Sequence, residues 1–98
     1  MPHEVIFSSE AEQQLRELEE YLSERFYPAN AERYIRRLTE ACIALGLAPY
    51  RGTKRNDLIP DMRTIGFERR AAIYFKIIDN QVIILSIHYG GRSFQTDL

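Results

Sequence analysis

The sequence contains few of the residues that build common catalytic and metal sites. It has one cysteine, Cys42, and two histidines, His3 and His88, among 98 residues. A single cysteine excludes an internal disulfide, and neither it nor the histidines show the spacing of metal ligands. The GxxxxGK[ST] phosphate loop, the GxSxG serine motif and the HExxH zinc motif are also absent. We therefore expect neither a metal nor a cofactor.

Long apolar runs are missing as well. No run approaches the roughly 20 residues of a membrane-spanning helix. The N-terminal segment MPHEVIF has neither the basic start nor the apolar core of a signal peptide. We expect a cytoplasmic protein with no membrane partner. With 45% hydrophobic residues, the 98-residue chain is long enough for a single domain, residues 1–98, with one core.

Lysine is rare and charge is unevenly distributed along the chain. The formal net charge is −1 at pH 7, and Lys54 and Lys76 are the only lysines. Residues 1–48 have a charge balance of −4, whereas residues 49–98 have a balance of +3. We expect an anionic partner to contact the second, basic half.

Residues that favour β-strands dominate the second half, from Met62 to Arg92. The last two segments of this stretch, Ala71–Ile78 and Gln81–His88, are separated by two residues. Those two residues, an aspartate and an asparagine, tolerate the positive φ that a tight hairpin turn requires. The pattern predicts three consecutive antiparallel strands.

Alternation along the last two strands assigns their side chains to two faces of the sheet. One face, with Ile73, Phe75, Ile83 and Leu85, is predicted to pack against helices. The opposite face is predicted to carry Tyr74, Lys76, Val82, Ile84, Ser86 and His88. Because this second face is also largely apolar, we expect a partner protein or a second copy to cover part of it.

The first half predicts a short strand followed by a helix. The strand covers His3–Phe7. Ser9 and Glu12 match a capping box, in which a serine caps the helix and an acidic residue three positions on completes the motif. Apolar residues spaced by three or four positions continue to about Phe26, so we expect the helix to end there, before Pro28.

A second helix is predicted to begin at Pro28 or Asn30 and to end at Gly46. The short connection makes the two helices an antiparallel hairpin. Leu47–Asp61 is predicted as a loop, and the tail Arg92–Leu98 has no predicted element. The order β-α-α-β-β-β predicts an α+β fold, with the helical hairpin packed on one face of a small, mainly antiparallel sheet.

Basic and aromatic residues at the strand ends form the candidate functional site. Guanidinium groups bind phosphate or carboxylate through paired hydrogen bonds, and a histidine beside a tyrosine can transfer protons during RNA cleavage. The candidates for catalysis are Arg63, His88, Tyr89 and Arg92. The candidates for contact with a target or partner are Arg63, Arg69, Arg70, Tyr74, Lys76, Val82, Ile84, His88 and Arg92. Each also has an ordinary structural interpretation, such as a solvated turn or a half-buried histidine.

The sequence resembles the RelE/ParE toxin superfamily in the order and spacing of its segments over nearly the whole chain. The similar segments are SSEAEQQLRELEEYLSERF, PANAERYIRRLTEACIALGLAP, RGTKRNDLIPDMR and IYFKIIDNQVIILSIHYGGR. The two long helices and the LxPxMR motif that leads into the sheet resemble the ParE branch in particular.

The resemblance implies the toxin of a type II toxin–antitoxin module, bound in a hetero-oligomer by a cognate antitoxin that folds over the second sheet face as a helix or an added strand. ParE relatives are associated with inhibition of DNA gyrase, and RelE relatives with cleavage of mRNA on the ribosome. Gyrase inhibition is the expected function, because the catalytic candidates do not match individual RelE roles and lysine is rare. A ribosome-dependent ribonuclease and an inactive domain that only binds its antitoxin are the alternatives, and a homodimer stays open.

Overall fold

The computed structural model describes residues 2–90 of the chain and places two helices on one face of a five-stranded sheet. The helices are α1, Ser9–Arg25, and α2, Pro28–Ala44. The strands are β1, Glu4–Phe7; β2, Thr53–Lys54; β3, Met62–Phe67; β4, Ala71–Ile78; and β5, Gln81–Tyr89. The predicted α+β fold is confirmed. It gains one short strand, β2, within the segment predicted as a loop. No helix of the described part of the chain is long and apolar enough to cross a membrane.

The strands lie in the order β1-β5-β4-β3-β2. Three of the four neighbouring pairs are antiparallel, and β1 pairs with β5 in parallel. Parallel neighbours need a long crossover connection, which the helical hairpin and the other strands provide here. The last strand therefore lies inside the sheet, between the first strand and β4.

Ser8, rather than the predicted Ser9, caps the first helix. Its backbone is extended, and its Oγ accepts a hydrogen bond from the Ala11 amide at 3.0 Å. The Ser8 amide also donates to the Ile84 carbonyl at 3.0 Å, so the residue that ends the strand ladder also begins the helix. The predicted capping box is therefore wrong: the third residue after the Ser8 cap is Ala11, which has no polar side chain to complete the motif, and Glu12 lies inside the helix. This helix ends at Arg25, one residue earlier than predicted.

Pro28 occupies the first helical position of α2. Of the two predicted starts, Pro28 and Asn30, the first is therefore confirmed. The helix is capped by Leu45, and Gly46 follows it. A Cβ atom on Gly46 would lie 2.5 Å from the His3 carbonyl oxygen, and the His3 amide donates to the Gly46 carbonyl at 2.8 Å. Gly46 therefore permits close contact between the end of α2 and the start of β1.

A β-bulge in β5 changes which side chains face the helices. Tyr74 pairs with Ser86, whereas Phe75 pairs with Ile84, so Leu85 is an extra residue on β5. The bulge shifts the alternation by one position, and a one-residue shift moves side chains to the other face.

The face assignment of the N-terminal half of β5 is consequently wrong in the sequence-based prediction. Val82 and Ile84 are fully buried in the core beneath the helices, together with Ile87. Ile83 and Leu85, which were predicted to face the helices, are not part of that core. A prediction from strict alternation cannot anticipate this change, because it assumes a strand without a bulge.

Two side chains at the start of α1 continue the pairing of β5 after β1 ends. Ser8 Oγ donates to the carbonyl of the bulged Leu85 at 2.9 Å. The Ile87 amide donates to Gln14 Oε1 at 2.6 Å, and Gln14 is a buried polar residue. Buried backbone groups need such partners, so these contacts join α1 directly to the sheet beside the bulge.

Replacement of Gln14 by methionine tests this connection. The Gln14→Met change keeps the length of the side chain but leaves the Ile87 amide without an acceptor. We expect the free energy of unfolding to fall by about 1–3 kcal/mol, measured by urea denaturation. The matched change Gln13→Met, on the exposed side of the same helix, should stay within about 0.5 kcal/mol of the native chain. Equal effects of the two changes would contradict this role for Gln14.

Candidate functional site

The face of the sheet opposite the helices contains a groove with a volume of about 500 Å³. We call it the open-face groove. One wall is the start of α1, Ser8 to Glu10, and the other is formed by Leu58 and Ile59 from the segment between β2 and β3. Tyr74, Leu85, Ser86, His88 and Met62 line the groove between these walls. Polar and apolar groups thus meet in one concave surface, which is typical of binding sites.

The chain itself covers part of the open face. The segment before β3 folds back, with the Arg55 amide donating to the Met62 carbonyl and the Met62 amide donating to the Ile59 carbonyl at 3.1 Å. Met62 is buried as a result. Leu58 stays 54% exposed at the rim. Residues of the same chain therefore cover part of the surface that was expected to need a second molecule, and contact of a partner with the remainder stays a prediction.

Tyr74 and His88 form a pair within the open-face groove. Their ring centroids are 4.7 Å apart, and Ser86 Oγ lies 3.4 Å from His88 Nε2. Burial lowers the pKa of His88 from its ordinary value, and the nearby carboxylate of Glu10 opposes this shift. The imidazole is therefore neutral at pH 7 and able to accept or donate a hydrogen bond.

Arg55 is the cation beside this pair, and the sequence did not single it out. Its Nε and Nη2 atoms donate to the two carboxylate oxygens of Asp57, each at 3.1 Å. Hydrogen bonding to Asp57 raises the pKa of Arg55, and an interaction with Tyr74 raises it to a smaller extent. The charge of Arg55 is thus balanced by Asp57. Arg55 and Tyr74 are 19 positions apart in the sequence. Sequence patterns within a few residues therefore cannot reveal an interaction between them.

The three catalytic candidates within residues 2–90, Arg63, His88 and Tyr89, do not come together in one place. Arg63 pairs with Phe75 on the helix-facing side of the sheet, and its Nη1 donates to the Tyr50 carbonyl at 3.0 Å. Tyr89 also faces the helices, whereas His88 lies in the open-face groove. Arg92 lies outside the described residues. Arg63 consequently holds the chain between α2 and β2 against the sheet instead of joining His88.

The candidates for partner contact are likewise divided among several places. Arg69 and Arg70 are exposed in the turn between β3 and β4, where Arg69 has a positive φ of 65°. Tyr74 and Lys76 lie on strand β4, on the open face. Val82 and Ile84 are fully buried and present no surface to a partner. Any partner role of the exposed candidates stays a prediction.

A second groove lies along the outer edge of β1. We call it the β1-edge groove, formed by Val5 and Phe7 of the strand and by Ile43 and Leu47 at the end of α2. Its volume is about 650 Å³. Ile43 is 53% exposed and Leu47 is 78% exposed. In the described part of the chain no strand pairs with this side of β1. Unpaired strand edges beside apolar surface are sites where another chain can add a strand.

The protein is similar to members of known toxin–antitoxin systems. A family model described as the ParE toxin of the type II toxin–antitoxin system parDE matches residues 5–94. A solved structure of the chromosomal ParDE system from P. aeruginosa is 19% identical, with a TM-score of 0.79, over 89% of this chain and 95% of that one. The RelBE2 toxin–antitoxin complex from Mycobacterium tuberculosis is 18% identical, with a TM-score of 0.69, over 91% and 92% of the two chains. No curated protein matches.

The burial of His88 predicts a specific dependence of stability on pH. Because its folded pKa is lowered from the ordinary value of 6.5, the unfolded chain takes up a proton that the folded chain resists. The free energy of unfolding should therefore decrease as the pH falls below about 6.5 and level off above it. In the variant His88→Gln, the free energy of unfolding should decrease less between pH 7 and pH 5 than in the native chain, as measured by urea denaturation. His3 is present in both chains, so its contribution cancels. Parallel curves for the two chains would disprove the prediction.

Proposed function

The chain belongs to the ParE toxin family of type II toxin–antitoxin systems, and we propose that it stops growth by inhibiting DNA gyrase until a cognate antitoxin binds it. The observation that supports gyrase over the ribosome is the separation of the catalytic candidates. General acid–base cleavage of RNA needs proton-transfer groups and a cation around one phosphate. Here Arg63 and Tyr89 lie on the helix-facing side of the sheet, and His88 lies on the other.

A ribosome-dependent ribonuclease is the second candidate, and one observation favours it. The open-face groove brings together Tyr74, Ser86 and His88, and Arg55 interacts with Tyr74. A neutral imidazole can act as a general base at pH 7. However, Asp57 balances the charge of Arg55 through two hydrogen bonds, which leaves less positive charge to stabilise a phosphorane. A domain that only binds its antitoxin is the third possibility.

We place the antitoxin at the β1-edge groove. An extended antitoxin segment would pair with the free edge of β1 and insert alternate apolar side chains between the strand and Ile43 and Leu47. This position differs from the open sheet face that the sequence suggested. The reason is that the segment containing Leu58 and Ile59 already covers part of the open face, whereas no strand within residues 2–90 pairs with the outer edge of β1. The expected complex is a hetero-oligomer of toxin and antitoxin.

The gyrase proposal predicts loss of supercoiling in a purified system. Addition of the protein to gyrase and relaxed plasmid should reduce supercoiling, and equimolar antitoxin should restore it. Because Arg69 and Arg70 are the exposed basic residues of the β3–β4 turn, the double change Arg69→Gln with Arg70→Gln should raise the concentration for half-inhibition by about tenfold. Arg16→Gln, which removes one exposed charge elsewhere, serves as the control.

Two results would reject gyrase as the target. In the first, supercoiling is unaffected by active, antitoxin-free protein. In the second, mRNA in translating ribosomes is cut in phase with codons, and His88→Ala abolishes the cuts while the chain stays folded. The second result would establish the ribonuclease alternative. Harmless expression at a verified soluble level would instead favour the domain that only binds its antitoxin.

Substitutions in the two grooves test which of them binds the antitoxin. Ile43→Arg and Leu47→Arg should each weaken antitoxin binding by at least about tenfold, because they place a charge in the β1-edge groove. Both side chains are more than half exposed, so the fold should tolerate the changes. Leu58→Arg, at the rim of the open-face groove, is the matched control and should bind normally in isothermal titration calorimetry. The reverse pattern would place the antitoxin on the open face.

A further inference from the structure

A third cavity lies on the helix side of the sheet, near the turn between the helices, and neither proposal above uses it. We call it the hairpin cavity. It has a volume of about 390 Å³ and is lined by Leu22, Phe26, Arg33, Tyr34, Arg37 and Tyr89, among others. We propose that the hairpin cavity is a second protein-binding site, which accepts an apolar side chain next to a carboxylate on an acidic segment of a partner protein.

The Tyr34 hydroxyl is the observation that first points to a ligand. It is buried and has no hydrogen-bond partner in the described part of the chain. Its ring packs edge-on against Phe67, at 5.5 Å, and Tyr89, at 5.9 Å. Burial raises the pKa of Tyr34 to about 12, so the hydroxyl is neutral and able to donate. Buried polar groups without partners are rare in folded proteins, and an acceptor brought by a ligand would satisfy this one after the side chains around the hydroxyl move apart to admit it.

The charges around the cavity select an anion. Arg37 is balanced by Glu68 through hydrogen bonds of 2.9 and 3.1 Å. The guanidinium of Arg33, by contrast, bonds to the neutral side chain of Asn30. Arg70 is close enough to Tyr34 to influence its pKa, and within residues 2–90 neither Arg33 nor Arg70 has a carboxylate partner. The cavity lining therefore contains one uncompensated guanidinium group, that of Arg33, together with the unpaired hydroxyl.

The apolar lining favours a ligand that carries an apolar side chain next to its anionic group. Phe26 is 59% exposed and Tyr27 is 78% exposed, so aromatic surface extends from the cavity over the turn between the helices. Leu22 and Tyr89 form apolar walls. The volume lies at the lower end of the range for small-ligand pockets, so it can hold a leucine or phenylalanine side chain together with the neighbouring carboxylate. An acidic peptide supplies an apolar side chain and a carboxylate from one segment, whereas a phosphate backbone would cover the apolar walls only if its bases stacked on the aromatic rings. The experiment below separates these two occupants.

Chemical-shift mapping with a small probe tests the site on the full chain. The probe is N-acetyl-phenylalanine, which joins a phenyl ring to a carboxylate, and its amide is the uncharged comparison. We expect the carboxylate to shift amide signals around Tyr34 and Tyr89 with an affinity on the order of millimolar. Tyr34→Phe and Arg33→Gln should each weaken binding by about threefold to tenfold. Arg16→Gln, far from the cavity on α1, should leave binding unchanged.

Several results would overturn the proposal. They include the absence of localised shifts, equal binding of the amide, and unchanged binding by Tyr34→Phe and Arg33→Gln. Shifts of the same signals by oligothymidylate, without a response to N-acetyl-phenylalanine, would assign the cavity to single-stranded nucleic acid. Shifts that depend on protein concentration alone would assign it to a second copy of the chain. None of these results bears on gyrase inhibition, so the two proposals can fail separately.

Discussion

The unequal length of β1 and β5 is the constraint on which the rest of the structure depends. The first strand has four residues and its parallel neighbour has nine, so much of one edge of β5 extends beyond β1. Its polar backbone groups cannot stay unpaired in a buried position. Ser8 and Gln14 pair with the Leu85 carbonyl and the Ile87 amide, which fixes the start of α1 against the sheet. The position of α1 then determines where α2 packs and which sheet face stays open.

The bulge beside these contacts also determines the chemistry of the two faces. Because Leu85 is an extra residue, Ile84 and Ile87 both face the helices although they are three positions apart. Ser86 and His88 consequently lie together in the open-face groove. Tyr89 enters the aromatic cluster on the opposite side, with Tyr34 and Tyr21. His88 and Tyr89 are adjacent in the sequence but lie on opposite faces of the sheet. A site predicted from their proximity in the sequence is therefore divided between the two faces.

The sequence allowed prediction of those features that depend on local interactions. The two helices, the strand that begins at Met62 and the turn in which Asp79 has a positive φ all follow from periodicity, proline and turn propensity. The bulge, the contact of Arg55 with Tyr74 and the hairpin cavity depend on contacts between distant segments. The charge prediction shows the same limit. Arg33, the uncompensated arginine of the hairpin cavity, comes from the acidic half of the sequence, so a charge count by halves could not locate it.

The position of β5 also affects when the protein can become active during its synthesis. This strand is the last element of the described chain, yet it lies between β1 and β4 and contacts α1. Ser8 and Leu85, which share a hydrogen bond, are 77 positions apart. Pairing between such distant segments forms late in folding, and on the ribosome it must wait until the C-terminal strand has emerged. The core therefore cannot close on a nascent chain that lacks β5.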